Sequence, residues 1–432
     1  MSRSSPRALV LDGRTLSSLA VARSLGRQGY AVDCAEEFRA NITSFSKYVD
    51  ETITYPAADE APQAFRHAIL SALHETDYDV LVPTRDATTA FVSDHQDELN
   101  AHTNVYVAPP DVIGTFDDKG ETVKLARECG VPTPTTYFPE EQSVAEIKAE
   151  ADYPVLIRPR RSSGSRGITR VESAAEFDDA YERVAAEFEA PMVQEYVAKA
   201  RYTTACLLLD DEQRELASFS YERQKEYPRS GGPTVVGEST DDTAAKQAAK
   251  ELLQAGDWHG PAEVEFIVDQ EGTPRLLEVN PRFWMPVQLA ISAGVDFPAK
   301  LAALARGEAV EPTTTYETGV TYRWVLPYEV LHTIDARRPA SGLREVVSTI
   351  GDGTCYGALS LTDPGPVLGT VAQSLAFLTD AEKRRSVLDR AVSGKKGTGA
   401  EASGAEHTGG RATDDEGSGT EHTVGQATGD DD

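Results

Sequence analysis

Cysteine is scarce. The 432-residue chain has four, Cys34, Cys129, Cys206 and Cys355, far apart and in no zinc-binding or disulfide spacing. This argues against a secreted disulfide scaffold and for reduced thiols packed as small apolar residues in a cytoplasmic protein. Long apolar runs are also missing, and none approaches the ~20 residues of a membrane span. The N-terminus, MSRSSPR, is basic, but Leu9–Val10–Leu11 is broken at once by Asp12 and Gly13, so a signal-peptide core is lacking. Lysine is scarce beside arginine, and 42 basic residues face 70 acidic ones, a net charge of −28. Such a surface repels nucleic acid and anionic membranes. Because the acids are spread along the whole chain, they read as a surface adapted to high salt, where screening shortens repulsion to a few ångströms. A halophilic source is therefore expected. The GxGxxG fingerprint is absent too, which disfavours a dinucleotide site and a dehydrogenase.

What is present is an alternation of strand and helix signals. RALVLDG, RTLSSLAVARSLGRQG and YAVDCA read as strand, helix and strand, with Gly29 as the helix stop. A helix near 60–75 and the buried strand VLVP follow, leading into the polar loop Thr84–Arg85–Asp86. Loops at the carboxyl ends of parallel strands are where doubly wound sheets bind ligands, although most polar loops bind nothing. Asp117–Asp118–Lys119 opens a helix ending at Gly130. Lys119 sits badly there on dipole grounds, and a bound phosphate would relieve the conflict. Further on, the strand VLI precedes Arg158, Arg160, Arg161 and the loop Ser162–Gly167, whose backbone could approach phosphate closely. MVQEYV is an apolar strand. Arg223, Lys225 and Arg229 precede a Gly–Gly–Pro turn, either as an anion site or as an exposed hairpin.

The densest signal is GPAEVEFIVDQEGTPRLLEVNPRFW, residues 260–284. Its runs Ala262–Val268 and Pro274–Asn280 read as a β-hairpin turning at Glu271–Gly272. That register sets Glu265 opposite Glu278, Glu263 opposite Asn280 and Ile267 opposite Leu276. Val264, Phe266, Leu277 and Val279 then share an apolar face, while the other face collects three carboxylates and an amide. Directly opposed carboxylates repel, so replacing Glu278 by glutamine should relieve Glu265. A cation removes the cost, and Glu265, Glu278 and Asn280 offer the oxygen donors that Mg2+ takes. The bland alternative is a solvated polar face on an edge hairpin.

LLEVNPRFW after an acidic strand closely resembles the metal-binding signature of the ATP-grasp superfamily. DK before a helix and GVPTP resembles its opening segment, and the Ser/Gly loop resembles its phosphate-covering loop. The resemblance runs from near the N-terminus to about Pro312. It implies ATP phosphates on Lys119, Arg158, Ser163, Gly164, Ser165 and Gly167, and adenine beside Gln194, Glu195 and Val197. Mg2+, with Mn2+ as a permitted substitute, would sit on Glu265, Glu278 and Asn280. Arg282 and Arg223 would act on the transferring phosphoryl group or the substrate carboxylate. Two departures stand out: Arg158 where the family usually has lysine, and Arg201 where relatives often place an acid for the ribose.

The implied fold is α/β, with a doubly wound, Rossmann-like domain over residues 1–115 and a two-lobed ATP-grasp domain over 116–312. An α/β extension over 313–392 would follow, with strand character in GVTYRWVLPYEVLHTI, a loop at 351–357 and a helix in AEKRRSVLDRAV. Residues 393–432 are acidic and nearly devoid of large apolar residues, and are expected to be a disordered tail. The implied reaction is activation of a carboxylate by ATP as an acyl phosphate, attack by an amine, and release of ADP and phosphate. The partners would be small-molecule acids and amines; the oligomeric state stays open, a homodimer included. Two rivals remain: a non-catalytic ATP-binding regulator or scaffold, and a biotin-carboxylase-like enzyme activating bicarbonate.

Overall fold

The structure is a computed structural model that describes residues 5–162, 166–228, 232–334 and 354–379. The expected tail, the helix in AEKRRSVLDRAV and the loop residues Ser163, Gly164 and Ser165 lie outside them.

The chain begins with a four-stranded parallel sheet, β1 (Arg7–Val10), β2 (Ala31–Glu36), β3 (Glu51–Thr54) and β4 (Val80–Val82), in the order β3-β2-β1-β4. Its central strand is apolar on both faces, as a sheet covered on both sides demands. Leu9 and Leu11 pack with Phe65 and Ile69 of the Pro62–Glu75 helix. Ala8 and Val10 pack with Leu16 and Leu19 of the Leu16–Arg27 helix. That helix ends where expected, at Gly29 with φ 88°, a left-handed conformation that glycine adopts without strain.

A second sheet comprises β5 (Thr136–Tyr137), β6 (Val155–Arg158), β7 (Thr169–Val171) and β8 (Met192–Glu195), ordered β5-β8-β6-β7 and antiparallel. One face packs Val155, Ile157, Val171 and Val193 on Ile147, Phe177 and Val184 of two helices. Arg158 and Gln194 join on the other face.

The third sheet has seven strands: β9 (Arg201–Leu209), β10 (Glu215–Glu226), β11 (Thr234–Thr240), β12 (Gly260–Val268), β13 (Pro274–Asn280), β14 (Thr321–Arg323) and β15 (Thr354–Tyr356), in the order β13-β12-β9-β10-β11-β14-β15. One face of its long strands buries Ala205, Leu207, Val264 and Phe266 against the Thr243–Ala255 helix. Cys206, Leu208, Phe219 and Tyr221 occupy the other, with Phe283, Trp284 and Val287.

Two expectations for the C-terminal part are corrected. Strand character in 319–334 holds for Thr321–Arg323 alone, since Val325–Ile334 is helical apart from the extended Leu326. Within the loop expected at 351–357, Thr354–Tyr356 pairs in parallel with β14. Both short strands complete an existing sheet edge, which no local pattern announces. Beyond β15 the chain returns to the N-terminal sheet. The buried Arg23 donates to Asp363 Oδ2 at 2.8 Å, Gly357 O at 2.8 Å and Ala358 O at 2.9 Å. Asp363 also accepts from Ser46 Oγ and Lys47 N, each at 2.8 Å. A buried ion pair holds a fold together only when so fully hydrogen-bonded.

Candidate active site

The hairpin β12–β13 closes through the Asp269 carboxylate, which accepts from Glu271 N at 3.1 Å and Thr273 N at 2.8 Å. Gly272 takes the left-handed position, φ 89°. The register sets Glu265 opposite Glu278 and Glu263 opposite Asn280, as expected. The third pair differs: a bulge shifts the ladder, and Leu276 faces Phe266, not Ile267. Leu277 is the extra residue. Leu276 therefore goes into the core in place of Leu277, which stays partly exposed, while Val264, Phe266 and Val279 of the expected apolar face are buried. A bulge bends its strand and re-aims the side chains beside it, here Glu278.

Four cations meet these acids. Asp118 caps the Lys119–Glu128 helix, accepting from Gly120 N and Glu121 N, which fixes Lys119 in the first turn. Lys119 Nζ lies 2.8 Å from Ser162 O and 3.4 Å from Glu278 Oε2. Arg158 ends β6, buried. Its Nη2 lies 3.9 Å from Glu278 Oε2, and its Nη1 donates to Gln194 Oε1 at 2.8 Å. Gln194 in turn donates to Thr136 Oγ1 at 2.9 Å. Arg223 on β10 reaches Glu265 Oε2 at 2.5 Å and Glu226 at 3.4 Å. Arg282 donates to both carboxylate oxygens of Asp86, to Asn280 Oδ1 at 3.1 Å and to Phe283 O at 3.1 Å. The Nε atoms of Arg158 and Arg223 are buried without a hydrogen-bond partner, which is costly unless an anion completes them.

The fields follow this layout. Burial, then repulsion from Glu265, pushes the Glu263 carboxyl up to about 7, against the Tyr221 hydroxyl that donates to it at 2.7 Å. Glu265 is also raised, by burial and by Glu278, with Arg223 opposing. Glu278 goes the other way. Burial would raise it, but Lys119 and Arg158 outweigh burial and hold it below the usual range. Among the described residues, the acids whose oxygens gather in threes within 4.8 Å are Asp210, Asp211 and Glu212 in the β9–β10 turn; of the hairpin acids, Glu265 and Glu278 turn toward cations, and Glu263 toward Tyr221 and Asn280.

The remaining expected residues divide. Gly167 is left-handed, φ 78°, and a Cβ there would meet Phe188 and Pro159 at 2.4 and 2.7 Å, so packing alone requires glycine. Glu195 accepts from Thr135 N at 3.0 Å. Val197 is buried in the connection from β8 to β9, and its N–H has no backbone partner among the described residues. Arg201 is bound to Asp242, the cap of the Thr243–Ala255 helix, at 2.8 Å. Lys225 lies 3.8 Å from Glu329, and Arg229 is outside the described residues. Arg160 spans Asp118, Glu121 and Glu140. Two members were not assigned roles from sequence. Glu263 was legible as the third acid of the hairpin face. Asp86 had only the weak signal of a polar loop after a parallel strand.

Residues 116–286 match the sequence profile of the ATP-grasp domain. Pyruvate carboxylase of Aspergillus terreus is 27% identical over 228 residues, 48% of this chain and 19% of that enzyme, so the chain spans about a fifth of that relative's length. Biotin carboxylase of Campylobacter jejuni, solved as a β-γ-ATP complex, superposes with a TM-score of 0.61 at 17% identity, covering 73% of this chain and 74% of that one. An L-amino acid ligase of Bacillus licheniformis superposes with a TM-score of 0.54 at 16% identity, covering 71% and 75%. At these identities the superpositions establish the fold.

Proposed function

We propose, from the ATP-grasp domain match over residues 116–286, that the chain is an ATP- and Mg2+-dependent ATP-grasp ligase joining a carboxylate to an amine, with release of ADP and phosphate. The observation that carries this reading is the opposed pair Glu265 and Glu278, ringed by Lys119, Arg158, Arg223 and Arg282. Residues 1–115 would precede the two-lobed domain over 116–312, its lobes built on the second sheet and on β9–β13 of the third, and residues 313–392 would extend it, adding β14 and β15 to that sheet.

The donor set fits the expected groups. Glu265, Glu278 and Asn280 supply oxygen only, as Mg2+ prefers. The orphaned Nε atoms of Arg158 and Arg223 suit phosphate or carboxylate oxygens. A divalent cation on Glu265 and Glu278 would also release Lys119 and Arg158 from Glu278, leaving both free for ATP phosphates. Bound there, the cation supplies charge neutralisation between two anions that must meet.

The chain's own residues would do the rest. Lys119 and Arg158 hold the inner phosphates, and the Gln194–Val197 connection receives adenine, with the Val197 N–H available to it. A substrate carboxylate oxygen attacks the γ-phosphorus as the bond to the β-phosphate oxygen breaks, so ADP departs. Arg282 stabilises the charge on the phosphoryl group in transit. The amine then attacks the acyl carbon, loses a proton, and phosphate leaves. Arg223 keeps Glu265 aligned and faces the substrate side. Bicarbonate activation is the second reading, favoured by the similarity to carboxylases. Incubating the protein with MgATP and pools of acids, amines and bicarbonate, with ADP and AMP quantified separately, tests the proposal. Acid- and amine-dependent ADP is expected. ADP with bicarbonate alone would favour the second reading, and AMP as the main product would overturn both.

A further inference from the structure

Arg282 is the cation that the proposed chemistry needs most, and it is not free. Its guanidinium is held from three directions by Asp86, Asn280 Oδ1 and Phe283 O. Asp86 comes from elsewhere: it is the first residue of the Asp86–Asp94 helix, just past β4 of the parallel sheet, 196 positions away in sequence. A carboxylate at a helix start is favoured by the helix dipole. The side chain is 46% exposed; against the partial desolvation that would raise its carboxyl, nearby Arg282 and then Lys119 hold it below the usual carboxylate range.

The contact is two-pronged. Nε of Arg282 donates to Oδ1 of Asp86, and Nη2 lies 3.4 Å from Oδ2. A fork paired with both oxygens fixes the plane of a guanidinium, where a single contact would leave it free to rotate. The same Nη2 donates to Asn280, and Asn280 donates onward to Glu263 at 2.9 Å. Asp86 thus anchors a line of bonds that runs through Arg282 into the hairpin.

We propose that Asp86 is a positioning residue for phosphoryl transfer, clamping the Arg282 guanidinium in the orientation the reaction uses and so tying the N-terminal sheet to the catalytic hairpin. The proposal rests on the ligase reading above. A cation that is oriented before the charge develops stabilises it without reorganising, whereas a displacement of about 1 Å can cost about 100-fold in rate.

The test uses the full chain as wild type, Asp86→Asn, Asp86→Glu, Arg282→Ala and the double variant Asp86→Asn/Arg282→Ala, each checked for folding by thermal melting. Modification of Arg282 by phenylglyoxal, followed by peptide mass spectrometry without nucleotide, reads the clamp directly. Asp86→Asn should speed it severalfold, and Asp86→Glu should restore protection. With an acid–amine pair found by the pooled assay, Asp86→Asn should lower kcat about 100-fold while KM for ATP changes less than about threefold. It should add nothing on the Arg282→Ala background. An unchanged modification rate, or a further loss in the double variant, overturns the clamp. A wild type that releases no ADP with any pool overturns the ligase reading instead, and the modification rates distinguish that failure from this one.

Discussion

Replacing Glu278 by glutamine keeps its shape and removes one charge. Sequence reasoning alone expects a more stable protein, because Glu265 stands directly opposite. The structure reverses that sign. Glu278 lies 3.4 Å from Lys119 and 3.9 Å from Arg158. At an effective dielectric of about 20, unit charges at such separations attract by roughly 4–5 kcal/mol each. Desolvation and Glu265 cancel most of this, but the balance is visible in the depressed pKa of Glu278. A carboxyl depressed on folding stabilises the native state above its unfolded pKa, about 4.3, and loses that contribution as pH falls through its folded value. At pH 7, without metal, Glu278→Gln should therefore cost about 1–2 kcal/mol, discounted because 31% of the side chain is exposed. It also leaves buried Arg158 without its nearest anion. The effect on turnover should be larger. A metal in this chemistry supplies several kcal/mol to the transition state, so losing one of its two carboxylates should slow Mg2+-dependent ADP release by roughly 100- to 1000-fold. The assays are thermal melting in EDTA and a Mg2+ titration of initial rate. Full turnover at saturating Mg2+ would refute the metal assignment, and a raised melting temperature would refute the electrostatic balance.

Two further outcomes follow from charge. Glu263 is raised to about 7, so the folded state binds its proton more tightly than the unfolded state, and metal-free stability should fall as pH rises from about 4.5 to about 7. Glu263→Gln should flatten that slope, and an unchanged slope in melting curves across the window would exclude Glu263 as its source. With a net charge of −28, the wild type should melt at higher temperature in molar KCl than in salt-free buffer, because screening shortens acid–acid repulsion; equal melting temperatures would remove the case for a halophilic surface.

The hairpin was legible because a strand alternates strictly, so Glu263, Glu265, Glu278 and Asn280 announce one face. Its bulge was not. Leu276 and Leu277 are both leucine, and nothing local says which one enters the core. The capping of the Lys119–Glu128 helix by Asp118 and of the Thr243–Ala255 helix by Asp242 could be read from residue type and position. The partner of each cation could not. Arg201 finds Asp242, Arg223 finds Glu265 and Arg282 finds Asp86 across gaps of 41, 42 and 196 residues. Such pairings are set by how sheets pack, and one sequence carries no pattern for them. The same holds for Arg23 and Asp363, which tie the two ends of the described fold.

The central claim is that a carboxylate takes the γ-phosphoryl group. Isotope transfer tests it most directly. An acid substrate labelled with 18O in its carboxylate is turned over with MgATP and the amine, and the released phosphate is analysed by mass spectrometry. An acyl phosphate passes one carboxylate oxygen to phosphate when the amine displaces it, so the account predicts one 18O per phosphate formed. Unlabelled phosphate, or label found in AMP, would contradict it.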